Sequence, residues 1–558
     1  MGAASGCDGN GGRRLALLMA MSLWACSAEP PAAPRLSPRE ALRVNLLLLH
    51  GGESEALTPP RTPAGADPVG LLALGDAYVV ALEGDDAVAL TDGSRELARA
   101  AAPTAVRALV ADGEGGFVAG GAHEGILQRY TVEGQTIEPK GRVVLPGTEG
   151  IGALAGADGV IFGTEAFGTE VFRIELGDLP ELRRGEGCRQ ARGIVLVADR
   201  VVVACTDGGL VALDAATLAP VARARFPGPL LALTACDGPG VRVVTSGIGR
   251  DGSEAPDATQ SLLRLHALRD DGWVTLHELP SDDAEEARVV LHEDGTLDVF
   301  GHARGLRKTF RVRGDVLERG ETRPWVLGVR AAVASGDGTL TSSALLDGLV
   351  SAGPSGVPRA SLRFAAGRER FGEVLLTTGF GRPEGTSSCG ACHLDGRGDF
   401  RRHAFGGDGR GAPTTWFRGL FREPRGVERV QDLQGAHRGA DLAVVSDPDT
   451  RVAAASRFLA RWTRAPSSLA IAGRDASELE HRGIDTYVRE CMSCHQLPEG
   501  RAPRLFRVAR RGPYLADWDG LDDVLSDLRV EPFAHRGDEG RPLTTPEREA
   551  LRAYLSVL

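Results

Sequence analysis

A chain of 558 residues exceeds what one hydrophobic core organises, so two or three domains are expected. Hydrophobic residues at 42% and charged residues at 25% have the balance of a soluble globular protein. The net charge of −11 argues against nucleic acid as a partner, because phosphate binding needs a basic footprint.

The N-terminus reads as a targeting segment. Arg13 and Arg14 precede an apolar run from Leu15 to Ala25, too short to span a bilayer as a helix but suited to an export signal. The junction Leu23-Trp-Ala-Cys26 resembles the lipobox of bacterial lipoproteins, whose cysteine becomes the acylated first residue. Ordinary cleavage nearby, with Cys26 incidental, is the alternative. Residues 1–25 are thus expected to be a lipoprotein-type signal peptide, with lipidation at Cys26. The exported chain would be lipid-anchored at the periplasmic face of a bacterial membrane. Residues 26–60 read as a linker, in which Leu42–Leu49 is expected to supply an outer strand closing the ring described next.

From about Val69 to Val350 a degenerate repeat recurs, a tight turn between two β-like runs. Turns fall at Asp112-Gly113, Asp158-Gly159, Asp237-Gly238, Asp294-Gly295 and Asp337-Gly338, with weaker copies at Gly75-Asp76 and Asp199-Arg200. Glycine accepts the positive φ of a two-residue hairpin, and the flanking residues alternate or run apolar as strands do. The spacing of 36 to 57 residues, with about four short strands per repeat, predicts a seven-bladed β-propeller over residues 61–360. The longest interval holds Gly247–Asp257, expected to be a loop inserted in the fifth blade. Histidines 123, 266, 277, 292 and 302 are scattered through this region and read as structural residues.

After about Ser361 the strand pattern ends, and helix-compatible segments alternate with Gly-, Arg- and Pro-rich loops. Two pentapeptides dominate, Cys389-Gly-Ala-Cys392-His393 and Cys491-Met-Ser-Cys494-His495. Two thiols three positions apart suit thioether bonds to the two vinyl groups of haem, and the next residue sets an imidazole under the iron. Two covalent haem c groups are therefore expected, in regions 361–470 and 471–558, with His393 and His495 as proximal iron ligands. Residues 544–558 form an amphipathic helix: a threonine caps it, Pro546 sits in its first turn, and Leu551, Tyr554, Leu555 and Leu558 line one face. Of nine cysteines, Cys188, Cys205 and Cys236 remain after the signal, lipid and haem candidates. One disulfide and one buried thiol are expected among these three, with the pair left open.

Gly483 and Tyr487, one turn apart before Cys491, resemble the Gly-x-x-x-aromatic-x-x-x-Cys helix of cytochrome c domains. In that family the glycine lets the helix pack closely on the terminal helix. Gly367–Glu373 before Ser388–His393, together with His393-Leu-Asp-Gly-Arg-Gly-Asp399, resembles the bacterial di-haem cytochrome c peroxidases, in particular relatives with an N-terminal β-propeller. Ala502–Tyr514 resembles the segment after their second haem, and Ala516 stands where a histidine is usual. The resemblance implies a mainly α-helical di-haem cytochrome c domain behind the propeller, hence a multidomain β + α protein.

Met492 is the sole methionine beyond the signal and lies between two thioether cysteines, so it cannot serve the distal face. His535 is the candidate distal ligand of the second haem, with a solvated loop histidine as the alternative. His403 and His437 follow the first motif and read as structural, with ligation of its haem by either as the alternative, and His481 reads as a surface residue. Arg504, Arg507, Arg510 and Arg511 suit either haem propionates or a solvated face.

The expected activity is peroxidase-like reduction of hydrogen peroxide, with a small redox protein or cytochrome as electron donor or acceptor. The alternative is a non-enzymatic di-haem electron carrier whose propeller docks the partner. No catalytic residue is assigned.

Overall fold

The computed structural model describes residues 66–364 apart from 149, 158, 167, 178–180, 251–258, 282–285, 302–304, 337, 344–345 and 353–356. It also describes 402–403, 412–413, 477–490, 525, 529–530 and 541–557.

Residues 68–363 form seven four-stranded antiparallel sheets, each built from four consecutive strands. The blades are β1–β4 (68–101), β5–β8 (106–144), β9–β12 (151–186), β13–β16 (191–225), β17–β20 (230–281), β21–β24 (286–324) and β25–β28 (329–363). The first strand of each sheet neighbours the first strand of the next, and β25 neighbours β1. The ring is closed: a seven-bladed β-propeller.

Several second and third strands are apolar at nearly every position, as in Val201-Val-Val-Ala-Cys205 and Ala87-Val-Ala-Leu-Thr91. Such runs suit strands covered on both faces, and each blade is sandwiched between two others. One apolar cluster fills each seam. Val79, Leu90, Phe117 and Tyr130 pack between the first and second blades, and Val244, Leu263, Val299 and Phe310 between the fifth and sixth. The closing seam carries Val80, Leu82, Ala89, Leu340 and Leu349. Fourth strands are mostly exposed and correspondingly polar.

The turn chemistry departs from expectation in three blades. Two-residue turns join β1 to β2, β9 to β10, β13 to β14 and β25 to β26. The loops at 112–116, 236–241 and 292–295 are longer. In the first and third of these an aspartate side chain captures backbone N–H groups ahead of it and opens the turn. Asp112 Oδ1 accepts from the N–H of Glu114 and of Gly116, each at 2.9 Å, and Asp294 Oδ1 accepts from the N–H of Thr296 at 2.9 Å. Two turns also sit one residue earlier than the Asp-Gly pattern implied. The left-handed positions are Ala198 (φ 52°) and Gly336 (φ 52°).

The fifth-blade insertion begins as strand, not loop. Gly247–Arg250 extends β18 and pairs with Thr259–Leu262 of β19. The outer position of the seventh sheet is filled by β28, Pro358–Arg363; Leu42–Leu49 lies outside the described residues.

Beyond the propeller, two helices are described, α1 (Glu478–Glu490) and α2 (Thr545–Val557). Each opens with a capping box, a hydroxyl residue reciprocating with a glutamate three positions on. Ser477 N–H donates to Glu480 Oε2 at 2.6 Å, and Glu480 N–H returns a bond to Ser477 Oγ at 3.3 Å. Thr544 and Glu547 repeat the arrangement at 2.9 and 3.4 Å.

Candidate functional site

The helix pair is the longest described part of the region that carries the two CxxCH pentapeptides. α1 is described as far as Glu490, the residue before Cys491 of the second pentapeptide. Gly483 lies at the crossing with α2. A Cβ there would collide with the Ala550 carbonyl oxygen and lie 2.6 Å from Tyr554 Cβ. Only glycine permits this approach. One turn on, the rings of Tyr487 and Tyr554 pack with centroids 5.5 Å apart and planes inclined by 57°. Ala550, Leu551 and Leu555 are buried along the same helix.

Cys389, Cys392, His393, Cys491, Cys494, His495, His535, His437 and Cys26 lie outside the described residues. His403 lies in a two-residue strand paired with Ala412. His481 occupies the first turn of α1, exposed as expected, its N–H bonded to the Ser477 carbonyl at 2.9 Å. Two thiols and an imidazole in CxxCH order are the donor set for covalent haem, and the tightly crossed helix leading to Cys491 suits it.

Three propeller histidines, His266, His277 and His292, are engaged in structural contacts, while His302 lies outside the described residues. His266 is fully buried, with Nε2 2.9 Å from Thr245 Oγ1 and Nδ1 3.2 Å from Thr275 Oγ1. Burial, aided by the Arg264 charge, pulls its pKa down to about 3. His277 Nδ1 accepts from the Leu317 N–H at 3.2 Å. His292 Nε2 meets Asp298 Oδ2 at 2.8 Å in a network shared with Arg307 and Thr339.

Cys188 and Cys205 form a disulfide, and Cys236 is a buried free thiol that burial pushes up to about 11. Asp207 lies beside the disulfide, but with both sulfurs bonded to each other no thiolate remains there for a metal.

A second constellation escaped the sequence reading. The propeller axis holds a cavity of about 260 Å³ whose charged lining is Arg107, Arg192, Arg288, Arg330 and Glu83. Its remaining wall is small or aliphatic, including Ala108, Gly152, Ala191 and Ala331. Each arginine sits near the start of a first strand. Pairing slips by one residue at Arg107, Arg192 and Arg330, a β-bulge in each case. Two positions earlier the backbone is left-handed, at Ala105 (φ 55°), Gln190 (φ 52°) and Gly328 (φ 70°). The same kink and bulge, repeated in three blades, carries an arginine into the channel lining each time. Arg288 follows the equivalent bulge in the sixth blade and donates through Nε to the Arg330 carbonyl. Arg107 Nη2 contacts both Glu83 oxygens, at 2.9 and 2.8 Å. Aligning the repeats on Val106-Arg-Ala, Ala191-Arg-Gly and Val329-Arg-Ala would have exposed the pattern.

No protein-family model matches the chain, and no curated protein does. Among solved structures it is similar to Sqt1 of Saccharomyces cerevisiae, at 12% identity and TM-score 0.41, over 56% of this chain and 90% of that one. The RRP9 WD40 repeats match at 11% and 0.41, over 52% and 92%. The Pan2 WD40 domain of Neurospora crassa matches at 15% and 0.39, over 50% and 86%. These likenesses concern fold alone; the seven sheets themselves establish the propeller.

Proposed function

We propose that the chain is an exported electron-transfer protein with two covalent c-type haems and a peroxidase-like activity on hydrogen peroxide. Cys389, Cys392 and His393 would hold one group, and Cys491, Cys494 and His495 the other. Bound haem c supplies a one-electron iron couple and, where the sixth position is open, a place for a small oxygen ligand.

The observation that carries the reading is the crossing of α1 and α2 at Gly483, directly before the second motif. His535 is the proposed distal ligand after the second motif, since Met492 is held between the cysteines and no other methionine follows the signal. A small redox protein would deliver the electrons. In the alternative, a non-enzymatic electron carrier, the propeller would be the partner-docking module.

The test is the full-length protein matured in a host that attaches haem c. Two haems per chain that survive denaturation, one lost in a C491S/C494S variant, are expected. A chain that retains no covalent haem rejects the reading. Binding of cyanide or carbon monoxide at one iron, with peroxide consumed at the expense of a reduced small cytochrome, is the peroxidase outcome. Two low-spin irons that bind neither reject peroxidase activity and leave an electron carrier.

A further inference from the structure

We propose that Cys188, Cys205 and Asp207 bind a zinc-class divalent metal ion once the disulfide between the two cysteines is reduced. The inference does not rest on the haem reading.

The three donors already stand together. Sγ of each cysteine and a carboxylate oxygen of Asp207 lie within 4.8 Å of one another. Two thiolates and a carboxylate are donors that zinc accepts, at about 2.3 Å for sulfur and about 2.0–2.2 Å for oxygen. Cys205 is buried, whereas Cys188 and Asp207 are half-buried, which leaves the fourth position of a tetrahedral ion to water.

The Asp207 carboxylate is aimed by the backbone. Its Oδ1 accepts from the Gly209 N–H at 3.0 Å and its Oδ2 from the Arg189 N–H at 3.4 Å. Among the described residues no lysine or arginine side chain is bonded to it, so each oxygen keeps a lone pair for an ion. Gly209 keeps the ground between the donors open. A Cβ there would lie 3.0 Å from Asp207 Oδ1 and 3.1 Å from Cys188 Sγ.

The backbone also holds the cysteines in place without help from the S–S bond. Gly187 and Gln190, on either side of Cys188, donate their N–H groups to the Thr169 and Gly168 carbonyls of the third blade. Cys205 ends β14 opposite Ala191, and the adjacent Thr206 N–H bonds the Gln190 carbonyl at 3.2 Å. The Cα atoms of the two cysteines are 5.9 Å apart in this frame. Opening the disulfide therefore leaves the two sulfurs as neighbours.

A dithiol supplies the reduction. Two electrons and two protons pass to the sulfurs as the dithiol closes its own disulfide. Each thiol then loses its proton as the ion binds, so two protons are released per ion. The fourth blade thus exchanges one clamp for another, a covalent bridge under oxidising conditions and a metal bridge under reducing ones.

The test is cobalt titration of the full-length protein, reduced with a dithiol and freed of it without oxygen, followed by thiolate-to-cobalt charge-transfer absorption. The reduced parent should take up one equivalent more than Cys188→Ser or the oxidised parent. Asp207→Asn should bind that equivalent more weakly by roughly tenfold or more, the loss that even an outer-shell partner costs. Equal uptake by the reduced parent and Cys188→Ser overturns the proposal, as does a disulfide that stays closed in excess dithiol without denaturant. Unchanged affinity in Asp207→Asn overturns the three-donor site. Should Cys188→Ser misfold, iodoacetamide labelling of the reduced parent decides. Zinc should slow alkylation of Cys188 and Cys205, and unslowed alkylation overturns the proposal.

Discussion

The backbone N–H of Asp67 donates to Oδ1 of Asp347 at 3.0 Å, joining residues 280 positions apart. Asp67 leads into β1 and Asp347 turns the chain into β27, so this bond lies in the seam where the last blade meets the first. The Tyr78 and Ser335 hydroxyls pair in the same seam. Among the described residues no strand is shared across it: each blade has four strands of its own. Apolar packing and polar contacts such as these join the two blades there.

Asp347→Ala is accordingly expected to destabilise the propeller by about 1–3 kcal/mol, because it leaves a buried N–H without its acceptor. Denaturant unfolding followed by far-ultraviolet circular dichroism measures it. An unchanged midpoint would show that the apolar seam closes the ring unaided.

Reduction of the Cys188–Cys205 disulfide should lower stability by about 3 kcal/mol, the loop-closure value for a link of this length. Peptide mapping without reductant should recover this pair and leave Cys236 as a thiol. Native alkylation of Cys236 should be slow, since the group is buried and its pKa is raised to about 11. A Cys236-containing disulfide in the map would contradict the assignment.

His266 makes stability depend on pH. Its ordinary value is 6.5, and burial depresses it to about 3 in the fold. Below pH 6.5 the unfolded chain takes up a proton that the folded one refuses, so stability falls as pH drops from 6.5 toward 3 and is fully present above 6.5. His266→Gln should flatten that slope in urea midpoints measured at pH 7.5, 6 and 5. An equally steep variant would assign the slope to other groups.

Gly483→Val should force α1 away from α2, since even a Cβ collides with the Ala550 carbonyl. The expected cost is about 1–3 kcal/mol or more, typical of overpacking. Faster amide exchange confined to 478–490 and 545–557 would report it. Gly483→Ala should be the milder of the two, and exchange unaltered in both would mean that the crossing is loose.

Much of the propeller was legible because its signals are local. A tight turn between apolar runs, every 36 to 57 residues, identifies a blade from its own sequence. Runs such as Val201-Val-Val announced strands covered on both faces. The helix at 544–558 was equally plain, its threonine cap and apolar face lying within four turns. Loop lengths were less so, because whether Asp112 reaches the Gly116 N–H depends on the strands to either side, not on the dipeptide. The arginines of the channel were invisible for a related reason. Arg107 and Arg330 are 223 positions apart, and each looks like an ordinary strand arginine until the blades are closed around one axis.

What the sequence determined by itself is what neighbours along the chain can specify. That includes seven blades marked by their turns, two CxxCH pentapeptides, and a glycine and an aromatic one turn apart before the second of them. Tertiary structure decided everything that joins distant segments. It chose Cys188 with Cys205 over Cys236, put Asp67 on Asp347, set Gly483 against Ala550, and gathered four arginines with one glutamate. The physical reason is the same in each case. Short-range turn and strand preferences fix the shape of a blade, but the position of one blade against another follows from burying apolar faces in a ring that must close.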